Sequence, residues 1–189
     1  MSETFKYMKR LAIIGSGDLG IQVAHFAQMV GFTIIGFFDD FKNSGDIVDK
    51  YTVIGKTETI IERHRNGEFD YLFVAVGYKN IMARGIIFDR FKHKVPYATI
   101  IHPSCIIDET ATIGSGVILY PGTIIDKDVI IHDNVLINNA CVISHNSEIF
   151  EHCYLSPRVS IAGFVTVRSN CFLGIGTIII DNISVCEGI

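Results

Sequence analysis

No stretch of this 189-residue chain approaches the ~20 consecutive apolar residues that a helix needs to cross a bilayer. Apolar residues make up 49% of the chain and mean hydropathy is +0.37, yet the longest apolar runs are short and broken by Asp, Lys, His or Asn. A basic excess is also missing. Sixteen Lys and Arg stand against 20 Asp and Glu, a net charge of −4, which argues against a nucleic-acid binder. Charged residues are only 19%, and so small a share beside so much apolar content excludes a disordered chain. The opening MSETFKYMKRLAIIGSG lacks the layout of a signal peptide, because its apolar run leads straight into a glycine loop. The five cysteines are odd in number and lack metal-ligand spacing, so a reduced, cytoplasmic location is expected.

What the chain does have is a repeat. From Ile101 an aliphatic residue recurs at every sixth position, through Ile107, Ile113, Leu119 and Ile125 to Ile179 and Val185, without a miss. Four positions after each comes a smaller or branched residue, among them Cys105, Cys141, Cys153 and Cys171. A two-phase hexapeptide pattern predicts a parallel β-helix. Six residues make one short strand and one corner, and three such sides close a triangular coil. Coils stack at about 4.8 Å, the ordinary inter-strand spacing. Residues 101–189 amount to about five coils. Four of the five cysteines are thereby read as small core residues.

Residues 1–100 alternate between strand and helix patterns: KRLAIIG, IQVAHFAQMVG, FTIIGFFDD, YTVIG, TETIIERHRNG, DYLFVAVG, NIMARGIIFDRFKHK and VPYATIIHP. That alternation implies a small parallel α/β sheet. The boundary falls near Ile100. No Gly/Ser linker marks it, so the two domains, 1–100 and 101–189, are expected to dock closely.

Two constellations carry chemistry. In the first, Gly15 and Gly17 belong to GSGDLG, which follows a strand and opens a helix, where the backbone can approach a phosphate. Asp39 and Asp40 end the second strand, where an acid can bind a ribose or a base. Gly77 and Asn80 follow a later strand at the same sheet edge, and Arg84, one turn into the next helix, is placed to meet a phosphate. In the second, His145 lies near a corner of the repeat with Asn146 after it. Gly163 lies one full coil of eighteen residues further on, in the same phase. A base beside a glycine N–H suits acyl transfer. The imidazole takes a proton from an attacking amine or hydroxyl, and the N–H stabilises the oxyanion.

The glycine loop, the Asp39–Asp40 pair and NNACVISHNSEI, SPRVSIAG and CFLGIGTIII together resemble the NeuD/PglD family of sugar-nucleotide acetyltransferases. The resemblance implies a Rossmann-like domain binding the nucleotide of an amino sugar, then a left-handed β-helix, with three chains forming a trimer. Acetyl-CoA is the implied acyl donor, lying between neighbouring subunits, and no metal is implied. On this resemblance His145 is the general base, Asn138 lines the sugar site and the Gly163 amide faces the thioester carbonyl. Tyr154, Ser156, Ala162, Gly174 and Ile175 fall along the donor, and Gly15, Gly17, Asp39 and Asp40 fall on the nucleotide, with Gly77, Asn80 and Arg84 beside them.

The chain departs from the family pattern in several places. Asn146 stands where an acid usually follows the base, and Asn orients the ring without adding charge. Tyr154 stands where a second His is common. Asp18 and Leu19 replace a common Gly and His in the glycine loop. The repeat reaches Ile189 in mid-coil where family members continue, which would leave apolar residues exposed on the last coil. The reading is an acetyl-CoA-dependent N-acetyltransferase acting on a nucleotide-linked amino-deoxy sugar. The alternatives are a sugar O-acetyltransferase and a non-catalytic nucleotide-sugar-binding scaffold. A nicotinamide-dependent oxidoreductase is disfavoured, because repeat occupies the place of a second α/β domain.

Overall fold

The computed structural model describes residues 9–189. The first unit holds β1 (Lys9–Ile14), α1 (Asp18–Met29), β2 (Phe32–Phe38), β3 (Ile47–Val48), β4 (Tyr51–Gly55), α2 (Ile60–Arg65), β5 (Tyr71–Val74) and α3 (Ile81–Phe91). The sheet order is β3-β4-β2-β1-β5. Strands β1, β2, β4 and β5 run parallel, and β3 pairs antiparallel with β4 as a short hairpin. Apolar clusters bury both sheet faces, which is why β1 reads as a continuous apolar run. Gly20 sits where α1 meets the strand ends. A Cβ there would lie 2.2 Å from the Gly15 carbonyl oxygen, so only glycine permits this approach.

The expected last strand, VPYATIIHP, is divided. Tyr97 bridges to Leu72, and two bonds, from Leu72 N–H to the Pro96 carbonyl and from Ala98 N–H to the Leu72 carbonyl, hold the segment beside β5. Ile100–Ile101 is already the first rung of the repeat. The chain thus passes from sheet edge to β-helix without a linker.

From there fifteen two-residue strands follow at six-residue spacing, ending at Ser184–Val185. They form three parallel five-stranded sheets, the faces of a left-handed β-helix. Each strand pairs with the one eighteen residues on, as Leu136–Ile137 does with Tyr154–Leu155. Both phases of the repeat point inward: Ile137, Ile143, Leu155, Val135, Cys141 and Cys153 are wholly buried. The small-phase polar side chains also close the corners. Thr123, Cys141, Ser147 and Cys153 donate to the carbonyls of Asn138, Ser156, Ala162 and Arg168, each fifteen residues ahead.

A third periodicity appears at the corners. From Gly116 to Gly188 every sixth residue has positive φ, including Asp128, Asn134, Asn146 and Asn182. Gly, Asn and Asp bear this left-handed conformation best, whereas a bulky side chain pays for it. Phe164, with φ 58°, is the costly member of the series.

One outer face of the β-helix, through Ile100, Ile118 and Leu136, is buried against the first unit in a shared apolar cluster with Val23, Ala24 and Ala27. Phe26 meets Tyr120 edge-on at 4.9 Å, and Lys92 pairs with Asp133 at 2.9 Å. Gly85 lets α3 approach His152, whose ring atoms would stand 3.3 Å from an added Cβ. Among the described residues no helix is long and apolar enough to cross a membrane.

Candidate active site

His145 and Asn146 share one corner of the β-helix, and both are exposed. Asn146 occupies the left-handed position of that corner, with φ 57°. Asn bears this conformation well, as Asp128 does at the equivalent corner position, so backbone conformation alone does not separate Asn from the acid of the family pattern. The His145 Nδ1 lies 3.1 Å from Asn146 Oδ1. An amide oxygen only accepts, so this contact is a hydrogen bond in the tautomer that protonates Nδ1 and leaves Nε2 its lone pair.

Gly163 stacks on this corner as its phase requires. A Cβ at Gly163 would lie 2.7 Å from Cε1, 2.9 Å from Nε2 and 3.3 Å from Nδ1 of His145. Glycine is thus the residue that lets the imidazole lie against the backbone of the next coil. Gly163 itself is buried, and its N–H donates to Asp181 Oδ1 at 3.2 Å. Phe164 stands edge-on to the imidazole, ring centroids 5.3 Å apart, and is more than half exposed. Base, amide, carboxylate and aromatic wall thus meet on one edge. Asp181 and Phe164 were missed in the sequence reading. Asp181 was findable, since it lies one more coil of eighteen residues beyond Gly163.

The residues implied for the acyl donor and the sugar divide between two edges. Ala162 adjoins Gly163, and its carbonyl accepts from Ser147 Oγ at 2.8 Å. Asn138, Ser156 and Gly174 form a column one coil apart on the neighbouring edge, with Ile175 strongly exposed beside Gly174. The face between the two edges presents Ile124 and the largely exposed Ile178 to solvent. Asn138 Nδ2 lies 3.4 Å from the Tyr154 hydroxyl. With Asn139, Tyr120, Gln22, His25 and Lys50, Asn138 also lines a cavity of about 610 Å³ between the units. One chain therefore does not bring Asn138 and His145 together, because a face of the β-helix lies between them.

At the sheet edge of the first unit, a cavity of about 180 Å³ is lined by Gly15, Ser16, Gly17, Asp39, Asp40 and Thr57, among others. Gly15 takes φ 98° there. The two acids are engaged with their own chain. Asp39 accepts from Ser16 N–H and Oγ and from Phe41 N–H, and Asp40 accepts from the N–H and Oγ1 of Thr57. Asp39 is held below its ordinary pKa. Burial alone would raise it, but the bonds from Ser16 and Phe41 and the charge of Lys42 outweigh burial. Lys42, with Nζ 3.4 Å from the Ser16 carbonyl oxygen, adds a cation at the loop that the sequence reading did not single out. Its only signal is a basic residue two positions after the acid pair. Gly77 and Asn80 start the turn into α3, where Asn80 N–H donates to the Gly77 carbonyl; they lie beyond the lining of this cavity.

Arg84 corrects the expectation of a phosphate contact. Its guanidinium is wholly buried and has no hydrogen-bond acceptor among the described residues. Burial lowers its pKa to about 10, and the groups it feels are Tyr154, Tyr120 and Cys153 of the β-helix. Gly85, Phe88 and Phe91 are buried with it on the packed side of α3, so a position one turn into the helix faces the seam and not the sheet edge.

Residues 10–91 match the family model described as the PglD N-terminal domain. The first unit is thus similar to that domain. The fold of the whole chain is similar to that of the acetyltransferase domain of PglB from Neisseria gonorrhoeae FA1090. Identity there is 24%, 93% of this chain and 95% of that one are covered, and the TM-score is 0.77. PerB from Caulobacter crescentus, in complex with CoA and GDP-perosamine, is 22% identical over 93% of this chain and 91% of that one, with a TM-score of 0.75. WeeI from Acinetobacter baumannii AYE is 18% identical over 91% and 81%, with a TM-score of 0.56. These likenesses extend across the first unit and the β-helix in the same order. They bear out the resemblance to the NeuD/PglD family carried by the glycine loop and the repeat.

Proposed function

We propose that the chain is an acyltransferase moving acetyl from acetyl-CoA to the amine of a nucleotide-linked amino-deoxy sugar. The observation that carries this reading is the His145–Gly163 corner. An imidazole with Nδ1 beside Asn146, and with no partner for Nε2 among the described residues, lies against the backbone of a glycine whose N–H is the adjacent donor. Nε2 takes a proton from the amine as the amine nitrogen bonds to the thioester carbonyl carbon. The Gly163 N–H holds the resulting oxyanion. Collapse breaks the C–S bond, and the departing thiolate takes the proton back from Nε2. An acceptor hydroxyl in place of the amine would follow the same steps.

Support for the substrates comes from the structural relatives. The PglB domain has been solved with acetyl coenzyme A, and PerB with CoA and GDP-perosamine. On this reading residues 1–100 bind the nucleotide through Gly15, Gly17 and the Asp39–Asp40 edge, and residues 101–189 perform the transfer. The division of site residues between two edges supports a homotrimer, in which the Asn138 edge of one copy faces the His145 edge of the next across the apolar strip of Ile124 and Ile178. A second reading, a nucleotide-sugar-binding protein without activity, rests on the engagement of the Gly163 N–H with Asp181.

The test is acetyl transfer followed by mass spectrometry, with UDP-, dTDP- and GDP-linked 4-amino-4,6-dideoxy sugars and with His145→Ala alongside. A mass gain of one acetyl group that is lost in the variant is the expected result. Product that survives the substitution removes His145 as base. Sugar-nucleotide binding without product for any donor favours the second reading.

A further inference from the structure

The amide that the proposed reaction needs is not free. Gly163 N–H points at the carboxylate of Asp181, one coil further along the same edge. Corner amides elsewhere are capped in a related way: Ser115 N–H donates to Asp133 Oδ1 at 2.8 Å, again across eighteen residues. The two carboxylates differ in their surroundings. Asp133 is itself pinned by Lys92 at 2.9 Å and partly buried. Asp181 is exposed, has no ion-pair partner among the described residues, and its one described side-chain hydrogen bond goes to Gly163. Asp133 caps a corner remote from the imidazole, whereas Asp181 caps the amide of the residue on which the imidazole lies.

We infer that Asp181 is a specificity gate on the acyl donor, a carboxylate that holds the Gly163 N–H until a thioester carbonyl displaces it. This rests on the acyltransferase reading above. An N–H donates toward one oxygen at a time in good geometry, so carboxylate and acyl carbonyl exclude each other at this position. The exchange trades a charge-assisted bond for a neutral one, which weakens donor binding by about 5- to 10-fold. The penalty falls only on a ligand that brings an acyl oxygen to the amide. CoA bearing a free thiol has no such oxygen and leaves Asp181 in place. Asp181 is a positioning residue acting through Gly163, not a group that touches the reacting atoms.

The test is calorimetric titration of the full chain and of Asp181→Ala and Asp181→Asn with acetyl-CoA and, separately, with CoA. The gate predicts acetyl-CoA binding tighter by about 5- to 10-fold in D181A, an intermediate value in D181N with its neutral oxygen, and CoA binding unchanged in both. Steady-state turnover should show a matching fall in KM for acetyl-CoA with no change in KM for the sugar nucleotide. Equal effects on acetyl-CoA and CoA, or no effect on either, overturn the gate alone and leave Asp181 as a corner cap like Asp133. Failure of all three proteins to bind either thioester or thiol overturns the acyltransferase reading, and the gate with it.

Discussion

The two units of this chain place their functional groups by different rules. In the β-helix the fold repeats every six residues and stacks every eighteen, so one number decides what touches what. His145, Gly163 and Asp181 fall on one edge because of arithmetic alone. In the first unit no such number exists. Asp39 and Asp40 reach the expected sheet edge, but which groups they hold depends on how the loop at Ser16 and the turn at Thr57 fold back. A periodic scaffold writes its site into sequence spacing, whereas an aperiodic one writes it into tertiary packing.

The sharpest way to break that comparison is Gly163→Ala. Its φ is not in the left-handed region, so the backbone accepts alanine, yet the new methyl would enter the space of the His145 ring. Activity should fall by about 100-fold or more, the scale for a misplaced catalytic group. The thermal midpoint should move little. A wild-type rate in G163A would mean that phase does not place the base.

A smaller effect is expected in the aperiodic unit from Asp39→Asn. The carboxylate accepts three bonds around the glycine loop, and weakening them should cost about 1–2 kcal/mol in stability at neutral pH. The effect has a sign in pH. Because the folded Asp39 titrates below the ordinary 3.8, the folded state holds fewer protons than the unfolded chain near that value. Its contribution is complete above 3.8 and is lost as pH falls through the lower folded value. Urea unfolding midpoints measured from neutral pH downward should therefore converge for wild type and D39N at acid pH. Midpoints that stay parallel would remove Asp39 as the tie.

The least disturbing substitution is expected at Arg84. A buried guanidinium without acceptors gains little from its charge, so Arg84→Met should leave stability within about 1 kcal/mol or raise it. Sugar-nucleotide affinity should be unchanged. A tenfold loss of affinity with folding intact would return Arg84 to the phosphate.

These cases also show how far the sequence could be read. The two-phase repeat revealed the β-helix, its core and the cysteines within it, because inward positions recur without exception. The pairing of His145 with Gly163 was legible for the same reason. Asp181 obeys the same spacing and needed only one further step along it. Asn146 departs from the family pattern, and its left-handed backbone became visible only in the structure, where Asp128 shows that the same corner position also takes an acid. Arg84 was not legible. Position along a helix gives distance from the sheet edge but not the direction of the side chain, and α3 turns that side to the β-helix. The β3–β4 hairpin escaped notice because two residues make too short a pattern to detect.

Stacking by eighteen makes chain length itself a determinant of the candidate site. The loss of one residue between Asn146 and Gly163 would slide the next coil by about 3.3 Å along its strand. Every side chain of the site would still be present, but the glycine would no longer lie over the imidazole. Length changes on this edge are therefore tolerable only as loops thrown outward from a corner, which leave the count through the strands intact. For this part of the molecule an insertion or deletion is a more severe change than most substitutions, and it leaves the composition of the site untouched.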